Sequence, residues 1–137
     1  MGSYRYRIDR VVAEYRLLTF LEDVFSNPHH YARNVRNGVD EIKVTVSQLH
    51  NFISRGRSLC GGTKHSINKV LHSILDDLCR RGFITYEFTY RYNHRKSNLQ
   101  RIYIKVLGER ELLLTYIRHR LRLLEEKLST RGRRGEL

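Results

Sequence analysis

The chain alternates between two hydrophobic periods. From Asp9 to Ser26 the apolar positions recur at helical spacing. Ile8, Val11, Val12, Tyr15, Leu18 and Phe25 mark one face, and Leu17, Phe20, Leu21 and Val24 widen it. A helix apolar over more than half its girth is buried by more than one neighbour. Asn27-Pro28 ends it, because proline lacks the N–H that would continue the backbone ladder. Residues 29–40 are a polar connector with His29, His30, Arg33, Arg36 and Gly38. Glu41 to Thr45 alternates, with Ile42 and Val44 on one side, and predicts a short strand. Thr45 and Gln48 then fit a capping box at the start of a short helix over 46–54, with Leu49, Phe52 and Ile53 turned inward.

A loop from Arg55 to Gly62 follows, and Thr63 or Ser66 can cap the next helix. There Ile67, Val70, Leu71, Ile74, Leu75, Leu78 and Cys79 recur at steps of three and four, while His65, Asn68, Lys69 and His72 line the polar face. Cys79 on that apolar face reads as a small core residue, and Gly82 ends the helix as its C′ residue. The period then drops to two. Ile84, Tyr86, Phe88, Tyr90 and Tyr92 alternate with polar residues, and Ile102, Ile104 and Val106 do so again within 101–107. These two strands form a hairpin whose polar tip spans Asn93 to Gln100. A last helix over 109–128 carries two stripes. One is Leu113, Ile117, Leu121, Leu124 and Leu128; the other includes Leu112, Tyr116 and Leu123. Residues 129–137 are expected to be a disordered basic tail.

Charge changes the picture most. The 26 basic residues, 20 Arg and 6 Lys, face 14 acids in 137 residues, for a formal net charge of +12. A chain this basic meets a polyanion, and nucleic acid leads, with solubility charge as the plain alternative. Arginine offers a planar fork for phosphates and guanine edges, although a GC-rich genome gives the same bias. The acids are also sorted. Ile42 to Leu75 holds Lys43, Arg55, Arg57, Lys64 and Lys69 with no acid, and Phe88 to Gly108 holds Arg91, Arg95, Lys96, Arg101 and Lys105 with none. Asp76 and Asp77 stand four residues before Arg80 and Arg81, where i,i+4 pairing explains them. Two cysteines exclude a dense disulfide scaffold. No apolar run approaches the ~20 residues of a membrane span, and no signal-peptide core stands at the N-terminus. A soluble, cytoplasmic, single-domain protein is therefore expected over 1–128.

A strand, two helices separated by a turn and a basic-tipped hairpin, in that order, resemble a winged helix-turn-helix. The stretch from Ser66 to Ile84 resembles the recognition helices of winged-helix transcriptional regulators. In particular, Leu78, Arg81, Gly82, Phe83 and Ile84 resemble the ending in which a leucine, a basic residue and a glycine precede the first wing strand. The resemblance covers 41–107. It implies an α+β, mostly helical fold: a winged-helix core with additional N-terminal and C-terminal helices at 9–26 and 109–128. The connection of about eight residues between the two helices is longer than the three or four usual in such turns. The Arg-rich, compact, nearly proline-free composition is similar in style to small proteins of hyperthermophilic archaea and their viruses.

The resemblance puts the first half of the third helix in a major groove. Asn68 is a candidate to read adenine, Lys69 guanine or phosphate, and His65 and His72 base edges or phosphates. Arg55, Arg57, Thr63, Lys64 and Ser66 join them on the connecting loop and first turn. Asn93, His94, Arg95 and Lys96 at the wing tip would reach a minor groove or flanking phosphates. Gly61-Gly62 leaves N–H groups open to a phosphate or simply makes the loop flexible, and it is no Walker loop. The tyrosine row either stacks unpaired bases or packs the hairpin on helices, packing being the commoner use. Cys60, His65, His72 and Cys79 match no zinc spacing, and no catalytic pair or cofactor fingerprint is visible. The expectation is a sequence-specific double-stranded DNA-binding transcriptional regulator, not an enzyme, without metal or cofactor. It would act as a homodimer through Leu113, Ile117, Leu121, Leu124 and Leu128, unless both stripes are internal. The rivals are a nonspecific or architectural nucleic-acid binder and a winged-helix module that docks a protein.

Overall fold

The computed structural model describes residues 9–27, 41–55, 61–93 and 96–136, with side chains described for these except at 61–62, 91–93, 96–98 and 131–136. The described residues form an α+β fold, mostly helical, with four helices and a three-stranded antiparallel sheet. The order is α1 (Arg10–Ser26), β1 (Glu41–Thr45), α2 (Val46–Ser54), α3 (Gly61–Arg80), β2 (Ile84–Asn93), β3 (Lys96–Val106) and α4 (Arg110–Glu136). No helix among them is long and apolar enough to cross a membrane.

Local chemistry explains most boundaries. Asp9 caps α1, its carboxylate accepting from the Val11 N–H. The capping box at α2 is complete: the Gln48 N–H donates to Thr45 Oγ1 at 3.1 Å, and the Thr45 N–H donates to Gln48 Oε1 at 3.0 Å. At the end of α3, the Gly82 N–H donates to the Cys79 carbonyl and the Phe83 N–H to the Leu78 carbonyl, both at 3.0 Å. This is a Schellman closure, and it requires Gly82 at φ 81°.

The sheet order is β1-β3-β2. Ile42, Ile104 and Tyr86 stand in one row, and Val44, Ile102 and Phe88 in the next, so one face of all three strands is apolar. That face and α1, α2, α3 and α4 enclose a single core including Leu17, Leu18, Phe20, Leu49, Leu71 and Ile104. Phe52, expected inward, sits at the rim, with its ring centroid 5.1 Å from that of Phe20.

Several expectations need correction. The helix α3 starts at Gly61, so Gly61-Gly62 form its first turn and the connection from α2 shrinks to residues 55–60. The strand β3 starts at Lys96 instead of Arg101. A bulge between Thr89 and Tyr90 lets the ladder continue to Asn93↔Lys96, where period-two reading breaks down. The polar tip therefore narrows to residues 94–95 between the strands. The helix α4 does not stop at Leu128; it continues to Glu136, so most of the tail expected to be disordered is helical. Cys79 is an exposed free thiol instead of a core residue.

The largest correction concerns α4. Leu113 and Ile117 are 0% exposed and Leu124 is buried; Leu121 packs against the same core, and Leu128 is half-buried. The stripe assigned to a second copy is covered chiefly by α1 of its own chain. Leu112 and Leu123 of the other stripe are left outside, 60% and 47% exposed. Helical spacing shows that a face is buried but does not say by which neighbour.

Candidate nucleic-acid interface

The first half of α3 presents Lys64, His65, Ser66 and Lys69 to solvent, and no acid stands in the helix before Asp76. Lys69 lies four residues from His65 on the same exposed face. Arg55, the C-cap of α2, is exposed and holds the left-handed conformation at φ 56°, which costs a non-glycine residue about 1 kcal/mol. It marks the exit of α2 toward α3.

Three expected contacts are engaged elsewhere. Thr63 is only 9% exposed, too little to reach a base edge. Asn68 is half-buried, and its Oδ1 accepts the His50 Nε2–H at 3.0 Å. A bidentate pair with adenine needs both ends of the amide, and the acceptor end is occupied by this clasp between α2 and α3. His72 stays exposed but turns to the hairpin: it shares a 3.3 Å hydrogen bond with Tyr86 Oη, and its ring centroid lies 5.9 Å from Tyr86 and 5.5 Å from Phe88. Tyr86 and Phe88 pack on the core, so this part of the aromatic row supports the hairpin. Tyr90, beyond the bulge, is 54% exposed. Arg57, His94, Arg95 and Cys60 lie outside the described residues, as do the side chains of Asn93, Lys96 and Tyr92.

The clasp makes a pH prediction. Burial holds the His50 imidazole below its usual value of 6.5, aided by the nearby Lys64 charge and opposed by the bond to Asn68. The unfolded chain therefore binds the proton more readily. The contribution of His50 to stability is complete above pH 6.5 and is lost as pH falls through the lower folded value. Thermal melts from about pH 7.5 to about pH 5 should show a steeper fall in Tm than those of His50→Gln, which keeps a donor but does not titrate. Parallel curves would remove His50 from the account.

Sequence reading missed the groups around α3 that come from distant parts of the chain. Arg10, at the start of α1, borders a hollow of about 330 Å³ together with Ser66 and Lys69, adding a cation to the basic face. Asp77 does more than pair with Arg81 at 3.1 Å: it also accepts from Tyr116 Oη at 2.7 Å and from Arg120 at 3.2 Å. Arg120 bridges on to Glu14. Helices α1, α3 and α4 are thereby tied at one node. Burial pushes the Asp77 carboxyl up, but the bonds from Tyr116 and Arg81 and the charges of Arg81 and Arg120 outweigh it and hold the group below its usual range. Glu14 and Arg120 lie 106 residues apart, beyond the reach of any spacing rule. The expected i,i+4 pairs are present, with Arg80 and Asp76 2.9 Å apart.

The comparisons add no relative: no family model, curated protein or solved structure matches the chain.

Proposed function

We propose that the protein is a winged helix-turn-helix regulator that binds double-stranded DNA sequence-specifically as a homodimer in the cytoplasm. The observation that carries this reading is topological. A β1-β3-β2 sheet ends in a hairpin next to a two-helix unit, and the second helix of that unit exposes an acid-free, basic first half. A major groove of ~12 Å width admits such a helix, and the hairpin then lies over the neighbouring backbone. His65 and Lys69 become the base-reading candidates, with Ser66 beside them. Lys64 and Arg55 take phosphates, as do Arg57, Arg95 and Lys96. A second copy would use what α4 leaves outside near its start, Leu112 and the adjoining Leu107.

One observation favours a second reading. Of two polar groups suited to base edges, Thr63 is buried and Asn68 is bonded to His50. What remains exposed is weighted toward cations, which suits a nonspecific or architectural binder. Selection of bound duplexes from a random pool separates the two. A regulator should return a roughly palindromic motif with half-sites about 10 base pairs apart, and competition by random duplex should then be at least ~10³-fold weaker. A pool that stays random would establish the architectural reading, and a single unrepeated motif would remove the homodimer.

A further inference from the structure

A cleft of about 560 Å³ opens between α1, α3 and α4, next to the Asp77 node; it adjoins the hollow beside Ser66 and Lys69 through Arg10 and Val70. Its size falls in the range of about 300–1,000 Å³ common for small-molecule sites. Two features distinguish it from a simple gap between helices.

The first is unbalanced charge. The cleft is lined by three arginines, Arg10, Arg81 and Arg120, and by the two carboxylates of Glu14 and Asp77. The arginines outnumber the carboxylates by one. The carboxylates are already committed: Asp77 to Tyr116, Arg81 and Arg120, and Glu14 to Arg120. Arg10 and His119, both exposed on the lining, form no ion pair among the described residues. The surplus cation is therefore Arg10, and His119 adds an exposed imidazole beside it. A node built only to hold three helices together needs neither of them.

The second is apolar surface in the same space. Val70 and Ile74 of α3 line the cleft, together with Tyr116 and the half-exposed Leu123 of α4. The Arg81 guanidinium lies 4.7 Å from the Tyr116 ring centroid, so one wall is a stacked cation and ring. A divalent cation would be repelled by the net charge, and a bare inorganic anion would leave the apolar wall uncovered.

We propose that this cleft binds a small organic anion with an apolar body, of the one-ring carboxylate class. The carboxylate is met by Arg10 and His119, and the ring covers Val70, Ile74 and Leu123. The network at Asp77 need not break, because the ligand uses cations that the network leaves over. The site does not require DNA binding, since the α3 residues that line it, among them Val70, Ile74 and Asp77, come after the basic-face residues Lys64, His65 and Lys69.

Methyl-resolved NMR of the full chain tests it, with benzoate as the probe. Benzamide is the uncharged control of the same shape, and acetate the control of the same charge. Benzoate should shift the methyls of Val70, Ile74 and Leu123 and saturate below about 10 mM, the weak end of small-ligand affinity. Benzamide and acetate should each need at least tenfold more. Combining Arg10→Ala with His119→Ala, at two exposed positions, should weaken benzoate at least fivefold. Acetate as effective as benzoate would mean an adventitious anion only. Benzamide as effective would mean an uncharged hollow. Either of these, an absence of saturation, or a double variant that binds like the parent overturns the proposal. None of these outcomes bears on DNA binding, and failure to bind DNA leaves them unchanged.

Discussion

Ile117→Asp should abolish cooperative folding and should not yield a folded monomer. Ile117 is 0% exposed and belongs to the core cluster with Leu113, Leu114 and Leu124. Truncating such a side chain costs about 2–5 kcal/mol through lost contacts and the cavity left behind. Burying an unpaired carboxylate adds several kcal/mol more. The total rivals the ~5–15 kcal/mol by which a domain of this size is stable. Far-UV circular dichroism should show loss of helix and a melt without a transition. Ile117→Val, which removes one methylene, should cost only about 0.5–1.5 kcal/mol and keep the transition. A helical, cooperatively melting Ile117→Asp protein would mean that this stripe is not covered by the chain's own core.

The second large effect follows from the proposed DNA binding and is read as affinity against salt. Six side chains are assigned to phosphates or bases by charge: Arg55, Arg57, Lys64, Lys69, Arg95 and Lys96. If each neutralises one phosphate, the slope of log K against log salt is roughly −5, at about 0.9 per phosphate. Affinity should then drop about 10³-fold between 50 and 200 mM salt. Replacing Lys64 and Lys69 together by alanine should flatten the slope by about 2 units, and so should replacing Arg95 and Lys96. Arg118→Ala is the control. It removes a cation that is paired with Glu22 across α1 and α4, 3.3 Å apart, and it should leave the slope unchanged. Equal flattening by all three changes would reduce the basic face to diffuse charge.

The sequence was most legible where the chemistry is local. The capping box of Thr45 and Gln48 and the glycine closure at Gly82 each depend on residues within five positions, and both stand where the pattern puts them. The start of β3 was not legible because a bulge inserts one residue at Gln100 and shifts the alternation that betrays a strand. The role of α4's stripes was legible only in part. Periodicity separates two faces of the helix, but α1 lies far away in sequence, and only the packing shows which stripe it covers. The same holds for the candidate site. The cations of α3 could be listed from spacing alone, yet the His50 partner of Asn68 is 18 residues away and the Arg10 neighbour of Lys69 is on another helix. Side chains that belong to one face by periodicity can still be claimed by a neighbouring element.

The partnership of α1 with α4 has a consequence for synthesis. The first helix buries Leu17, Leu21, Val24 and Phe25 in a core to which α4 supplies Leu113, Ile117 and Leu124, and Arg110 donates to the Phe25 carbonyl 85 residues back. A ribosome adds roughly 5–20 residues per second, so α1 emerges some 5–20 s before its cover exists. During that interval its apolar girth is open to chaperones or to other nascent copies, and the core cannot close from the N-terminal end. The late closure also gives long-range contacts a large share of the fold, which slows folding relative to a bundle of sequential hairpins. Any chain released before about Leu124 would leave uncovered the face of the first helix that α4 takes.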